Sequence, residues 1–206
     1  MSNNAVVVCT WGEERGGLPG GAEEVLTLAN QLSQSLGADL NWLTLGASAS
    51  GIAETAAAFG VARVQQIEDA KLKGMPADAT VEALAQYCAA SSPRVILFSQ
   101  DAATRTIAPR LAGRIGSAVV MNVTEVAAEG SSLEVTAAAY GGDTRSLYVL
   151  AGEGTQVISV TANSITAAQP AAGSTPSTES ISVDLSSVQE RIRVVEAAKS
   201  EGPRLE

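Results

Sequence analysis

The sequence contains no histidine, and this absence removes several kinds of active site together. Serine–histidine triads, histidine-ligated zinc and histidine general bases all require the imidazole ring. An enzyme built from this chain would depend on carboxylates, lysine, tyrosine or a bound cofactor. No arrangement of these residues predicts a catalytic centre, and the acidic pairs Glu13–Glu14 and Glu23–Glu24 do not predict a metal site. We therefore expect neither a catalytic residue nor a metal ligand.

Aromatic residues and basic residues are both scarce. Aromatics make up 3% of the chain, and 13 lysines and arginines face 22 aspartates and glutamates, for a net charge of −9. Nucleic-acid binding needs cations to displace counterions from phosphates and often aromatic rings on which bases stack. The composition therefore predicts no nucleic-acid partner, while it allows basic protein partners.

Long apolar runs and clustered cysteines are also missing. No apolar run reaches the roughly 18 residues of a transmembrane helix, so we expect no membrane insertion. The first residues resemble neither a secretory signal nor a transit peptide, which predicts a cytoplasmic protein. The two cysteines, Cys9 and Cys88, form no CxxC motif and are expected to be buried free thiols.

Alternating strand and helix patterns occupy the first part of the chain. Helical spacing of apolar residues predicts helices over 22–37, 50–60, 77–90 and 102–116. Between them, continuous apolar runs predict buried strands over 5–10, 40–46, 61–68 and 94–99. This combination indicates an α/β fold, with a doubly wound, mostly parallel sheet covered by helices on both faces.

The pattern changes after residue 118. Four strand-like segments joined by short turns predict an antiparallel section near the C-terminus, over 118–130, 132–142, 144–152 and 155–163. Residues 167–180, rich in alanine, proline, serine and threonine, are predicted to be a linker or long loop. The alternation of apolar and basic residues around Ile192 favours an edge strand within 181–206, and a helix is the competing interpretation.

Two stretches follow predicted strands where ligands often bind in α/β proteins. The glycines within 12–21 are spread too widely for a dinucleotide-binding turn, so a surface loop is expected there. Asp101, after the fourth strand, could cap the next helix. Arg105 lies in that helix's first turn, where the helix dipole opposes a cation. It is therefore either a site for an anion or ion pair, or an ordinary exposed arginine.

The stretch VILFSQDAATRTIAPRLAGRIGSAVVMNVTEV at 95–126 resembles the alpha subunit of electron transfer flavoproteins. That family has a Gly-Arg-(Asp/Asn)-Leu-x-Pro-Arg-Leu-Ala helix after a strand, and Arg105, Pro109, Arg110, Leu111 and Ala112 match it. The following strand matches at Asn122–Thr124, and the turn at Tyr140 and Gly142 is similar to the family's Tyr-(Ala/Gly)-Gly. Thr104 replaces the family's glycine, and Ala162–Asn163 replaces its Arg-Pro.

The resemblance implies an adenine nucleotide alpha hydrolase-like sheet over 1–166. It further implies a connector over 181–206 towards an FAD-binding domain whose Ser-Gly-Gly-Arg-Gly motif does not occur here. The domain would then be a scaffold that pairs with the beta subunit and positions FAD. Electrons would pass from an acyl-CoA or other dehydrogenase to an acceptor through the whole complex. Self-association is expected when the partner is absent.

A second hypothesis is a stand-alone adenine-nucleotide-binding module similar in fold to universal stress proteins. Its AMP-type pocket would be formed at the carboxyl ends of the strands, by Cys9, Thr10, Gly46, Ser99, Gln100, Thr104 and Arg105. The lack of a glycine-rich phosphate loop argues against this hypothesis. Arg110 and Arg114, four residues apart, are expected to form a solvated stripe on the helix surface.

Overall fold

The computed structural model describes residues 4–11, 18, 20–46, 52–130, 132–171 and 173–192. These residues form four α-helices, two short 3-10 helices (Ala70–Leu72 and Tyr140–Gly142) and nine strands. The α-helices are α1 (Ala22–Leu36), α2 (Ala53–Ala58), α3 (Ala77–Ser91) and α4 (Thr104–Ile115). The strands are β1 (Val6–Trp11), β2 (Leu40–Leu45), β3 (Arg63–Ile67), β4 (Val95–Ser99), β5 (Val119–Glu129), β6 (Ser132–Ala139), β7 (Thr144–Leu150), β8 (Gln156–Val160) and β9 (Ser177–Ser180).

All nine strands belong to one sheet, in the order β7-β6-β5-β8-β4-β1-β2-β3-β9. From β9 to β5 the neighbouring strands are parallel. The pairs β5–β6 and β6–β7 are antiparallel and form one edge of the sheet. The structure confirms the predicted α/β class, with a mostly parallel sheet and an antiparallel section.

The central strands are continuous apolar runs because helices cover both of their faces. Every residue of β2 is buried, as is every residue of β8. One apolar cluster joins the sheet to α1 and α2, and Trp42 and Leu26 lie within it. A second cluster joins the opposite face to α3 and α4, and it includes Phe98, Tyr87 and Leu111.

A bulge in β5 separates the parallel from the antiparallel part of the sheet. Asn122 has a φ of 56°, and both registers of β5 shift next to it. β5 pairs with β8 as far as Val123, and from Val123 onwards with β6. A bulge bends a strand and increases its twist, which allows β5 to change partners at this point.

Two predictions for the C-terminal part are wrong. Residues 177–180, predicted within a linker or long loop, form β9 and pair in parallel with β3. The segment over 155–163, predicted in the antiparallel section, contains β8, which runs parallel between β4 and β5. β8 is buried along its whole length, as a central parallel strand is.

The edge strand predicted around Ile192 is not observed in the described part of that segment. Arg191 and Ile192 lie outside any strand or helix. Residues from 193 onwards lie outside the described residues. Among the residues that are described, no helix is both long and apolar enough to cross a membrane.

We expect the covering of the sheet by α1 to be a main source of stability. Leu26 is fully buried in α1, so Leu26→Ala should lower the free energy of unfolding by about 2–5 kcal/mol through lost burial and the cavity it leaves. Denaturant unfolding followed by circular dichroism measures the change. Gln31→Ala, at an exposed position of the same helix, is the control and should alter stability by less than about 0.5 kcal/mol. Equal effects would contradict this role for α1.

Candidate functional site

The candidate site lies where the strand order of the sheet reverses. The chain leaves β1 towards β2 on one side, and β4 later pairs on the other side of β1. In open α/β sheets a crevice forms outside the carboxyl ends of the strands at such a point. The described residues at this edge include Trp11, Gly21, Ser99, Gln100 and Asp101. Most of the predicted glycine loop, at 12–17 and 19, lies outside the described residues.

Asp101 organises the turn between β4 and α4. Its Oδ1 accepts a hydrogen bond from the Thr104 backbone N–H at 2.6 Å, as expected of a capping carboxylate. Its Oδ2 accepts one from the Trp11 indole N–H at 3.1 Å. The Trp11 ring also lies 5.9 Å from that of Phe98, centroid to centroid. Asp101 therefore closes the turn through Oδ1 and joins it to β1 through Oδ2.

Thr104 is part of the same turn and is completely buried. Its hydroxyl lies 2.9 Å from the Ser99 carbonyl oxygen and 2.8 Å from Asp101 Oδ1. A glycine at this position, as in the family pattern, would lack both contacts. Thr104 therefore closes the turn from inside, and its side chain does not face the crevice as a free group.

Gln100 joins three strands at the crevice. Its side-chain N–H donates to Asn122 Oδ1 at 2.8 Å, and its Oε1 accepts from the Asn122 backbone N–H at 2.8 Å. The Ser159 hydroxyl lies 3.3 Å from the same Oε1. Gln100 directly follows β4, Asn122 lies in β5 and Ser159 lies in β8. Both polar atoms of the Gln100 amide therefore have hydrogen-bond partners within the protein.

Gly21 brings the start of α1 against the end of β4. Its φ is 72°, in the left-handed region, and a Cβ placed on it would lie 2.4 Å from Ser99 Oγ. The Glu24 carboxylate, in the first turn of α1, accepts a hydrogen bond from the Asn163 backbone N–H at 3.0 Å. The close approach of α1 to β4 therefore leaves no room for a side chain at position 21.

The remaining predicted pocket residues are spread over different environments. Cys9 is buried, and Thr10 is buried with its hydroxyl accepting from the Trp42 indole N–H at 2.9 Å. Gly46 is exposed at the end of β2. Arg105 is exposed, and its side chain has no ion pair with the described residues. The structure thus groups Ser99, Gln100, Thr104 and Arg105 around the β4–α4 turn, with Cys9 and Thr10 embedded in the sheet.

Both cysteines are buried free thiols, as predicted. Burial raises the pKa of Cys9 well above its usual value and that of Cys88 to about 12. A thiol held in its neutral form is a poor nucleophile and a poor metal ligand. Among the described residues, no group of His, Cys, Asp or Glu side chains could hold a metal ion.

The arginines predicted as a solvated stripe on α4 are engaged in ion pairs with α3. Arg110 pairs with Asp78, and Arg114 pairs with Glu82 at 3.2 Å. The spacing of four residues is the same on both helices, so two successive turns of each are joined. The sequence could show the spacing on α4, but not that α3 packs beside it.

Sequence reasoning missed several groups at the crevice. Gly21 and Asn122 were noted only as parts of a loop and a motif, and Ser159, Glu24 and Trp11 were not predicted there. One available signal for these positions was an asparagine within a strand or shortly after it. Asn122, in β5, and Asn163, after β8, both have positive φ values. Asparagine tolerates this conformation better than other non-glycine residues.

The fold and the crevice together define the class of protein. It is a doubly wound α/β protein with a crevice, of the kind that binds ligands in such folds, where the strand order reverses. The family model for the electron transfer flavoprotein domain matches residues 8–186. The chain therefore belongs to the electron transfer flavoprotein domain family, and the resemblance seen in the sequence is confirmed at that level. Comparison with curated proteins finds no match.

We expect Gly21→Ala to destabilise the fold for two separable reasons. The left-handed backbone costs about 1–2 kcal/mol for alanine, and the contact with Ser99 Oγ adds a steric cost. Ser99→Ala should remove the steric part alone, because the Ser99 Cβ lies at an acceptable 3.4 Å. Thermal unfolding of both single variants and the double variant measures this coupling.

Gly20→Ala is the matched control for this prediction. A Cβ at Gly20 meets nothing within 4 Å, and its φ lies outside the left-handed region. This variant should therefore unfold close to the wild-type temperature. If Ser99→Ala restored none of the loss caused by Gly21→Ala, the inferred contact between α1 and β4 would be wrong.

Proposed function

We propose that this protein is the N-terminal domain of an electron transfer flavoprotein alpha subunit. In this role it pairs with the beta subunit in the cytoplasm and positions an FAD-binding domain. That domain accepts electrons from an acyl-CoA or other dehydrogenase and delivers them to an acceptor. The domain itself is a scaffold and not an enzyme. The family match and the alpha-type residues at 95–126 support the assignment.

The observation that carries the scaffold role is an uncovered sheet surface at the antiparallel edge. We define the open face by Leu147 and Val149 of β7, with their register partners Thr136 and Glu134 of β6. Leu147 is 63% exposed and Val149 is 60% exposed. Along β6, the buried residues alternate with those of the open face, so they lie on the opposite side of the sheet. Two large apolar side chains thus stand in solvent on an edge strand.

The surroundings of the open face suit a protein partner. Arg145 and Glu125 form an exposed ion pair at 3.9 Å beside the two apolar residues. An apolar centre with a charged rim is the usual anatomy of a protein interface. β7 is also the edge strand, whose free backbone groups invite pairing unless they are covered. We infer that the beta subunit covers this surface, and that isolated domains self-associate through it.

The crevice supports a structural role more than cofactor binding. Both oxygens of Asp101 and both atoms of the Gln100 amide already have partners within the protein. A ligand there would have to displace these contacts and replace them. We therefore place FAD in another domain of the assembled protein.

A stand-alone adenine-nucleotide-binding module is the second candidate function. Within the described residues, the Thr161 hydroxyl at this edge is buried without a hydrogen-bond partner. Arg105, in the first turn of α4, has no ion pair in the same part of the chain. A cation and an unpaired hydroxyl near a switch point are groups that a phosphate or ribose could use.

We expect the chain to form a complex with its cognate beta subunit, measured by light scattering after size exclusion. Leu147→Lys combined with Val149→Lys should weaken the complex at least about tenfold, or about 1.4 kcal/mol, because two apolar anchors are lost. The positions are exposed, so the fold should be retained. Gln31→Lys with Ser35→Lys adds the same charge on the exposed side of α1 and should leave the affinity unchanged. Absence of any complex with the wild-type chain would overturn the scaffold proposal.

A titration with AMP separates the two functions. The scaffold proposal expects no heat above dilution at millimolar AMP, since the crevice groups are satisfied internally. Saturable heat that is lost in Arg105→Gln and kept in Arg114→Gln would instead establish the nucleotide module.

An absorption spectrum and intact mass of the native protein complete the test. Flavin absorption with a two-domain mass would support the electron-carrier assignment, and a colourless 206-residue protein that binds AMP would contradict it.

A further inference from the structure

The last described part of the chain runs across the α3 side of the domain. We call residues 177–192 the strap. It begins with β9, which pairs with β3 over Ser177–Ser180, and the next backbone N–H, of Ile181, donates to the Gln66 carbonyl at 2.7 Å. The strap then continues past the side of α3 towards the start of that helix.

Apolar contacts hold the middle of the strap and not its ends. Leu185 is 2% exposed and belongs to the cluster beneath α3 and α4, and Ile181, Val183 and Val188 pack against that cluster partly buried. The side chains of β9 are all exposed, and residues 189–192 are exposed as well. The attachment of residues 189–192 is therefore polar.

Two side chains hold the middle of the strap by its backbone. The Lys71 ammonium donates to the carbonyl oxygens of Leu185, Ser186 and Val188 at 2.6, 3.0 and 3.1 Å. The Gln86 amide, on α3, donates to the Asp184 carbonyl at 2.7 Å and accepts from its N–H at 2.8 Å. Because Lys71 and Gln86 bond to backbone groups of the strap, these hydrogen bonds fix its path independently of its side chains.

An ion cluster at the start of α3 holds the end of the strap. The Asp78 carboxylate is only 9% exposed and accepts from the Arg191 backbone N–H at 2.9 Å and from the Arg191 guanidinium at 2.7 Å. Arg110 of α4 donates to the same carboxylate. Beside it, Glu190 accepts from the Ala79 backbone N–H at 2.7 Å and so caps α3 from the strap.

Among the described residues, Arg110 and Arg191 share the Asp78 carboxylate as their acceptor. The hydrogen bonds from Arg191 and the charge of Arg110 hold the pKa of Asp78 well below its ordinary value. Without the negative charge of Asp78, the guanidinium groups of Arg110 and Arg191 would lie close together with no shared carboxylate between them. The carboxylate therefore couples two attachments, that of α4 to α3 and that of the strap to both helices.

We propose that Asp78 is the positioning residue of an ionic lock, which seats the end of the strap on α3. Loss of the lock frees residues 189–191, while Lys71, Gln86 and the burial of Leu185 keep the middle of the strap in place and the sheet and its helices remain folded. This inference concerns the described residues only and does not depend on the function proposed above.

Hydrogen–deuterium exchange of the full chain, followed by mass spectrometry, tests the lock. In Asp78→Asn we expect the amides of 189–191 to exchange about tenfold faster, with the amides of 184–188 and the core peptides of β1 and β4 unchanged. Asp78→Glu keeps the charge and should restore most of the protection. Arg114→Gln is the matched control, because it breaks the α3–α4 ion pair one turn along without touching the strap.

A second variant keeps the test decisive if Asp78→Asn does not fold. Arg191→Gln removes the strap's own cation and leaves the Asp78–Arg110 pair in place, so it should also loosen 189–191. Adding it to Asp78→Asn should loosen the strap no further, since both changes act on one contact. Unchanged protection in Arg191→Gln, or equal loosening in Arg114→Gln, would overturn the proposal.

Discussion

Burial of the central parallel strands on both faces is the constraint on which the rest of the structure depends. Strands that are covered on both sides are mostly apolar, and their parallel neighbours are usually reached through crossovers that supply covering helices. α1 and α2 cover one face, and α3 and α4 cover the other. The reversal of strand order beside β1 follows from this winding and creates the crevice.

The sheet departs from this rule at its antiparallel edge, and the departure is where a partner can bind. After the bulge at Asn122 the strands are joined by short turns, so no crossover helix is available to cover both faces. One face of β6 is buried and the other is left open, with Leu147 and Val149 in solvent. By contrast, the Asp101 carboxylate and the Gln100 amide of the crevice are paired within the protein. Both features agree with the scaffold role proposed above.

Much of the fold could be predicted because its signals are local. Continuous apolar runs indicated β1, β2 and β4, and helical spacing indicated α1 and α3. β9 was missed because its four side chains are polar and exposed, and it joins β3 through backbone pairing and one side-chain hydrogen bond, from Gln65 to Glu179. The site was predicted in part. Ser99, Gln100 and Asp101 follow an apolar run, whereas Asn122 and Ser159 reach the same crevice from strands distant in sequence.

The sequence by itself determined the α/β class, the absence of histidine chemistry, the burial of both thiols and the resemblance to the family. These follow from composition, periodicity and short motifs, which are properties of neighbouring residues. Only the tertiary structure decided that β8 lies between β4 and β5, and that Gly21 must lack a side chain. It also decided that Asp78 joins Arg110 to Arg191. Each of these depends on which distant segments pack together, and that is set by covering both faces of one sheet.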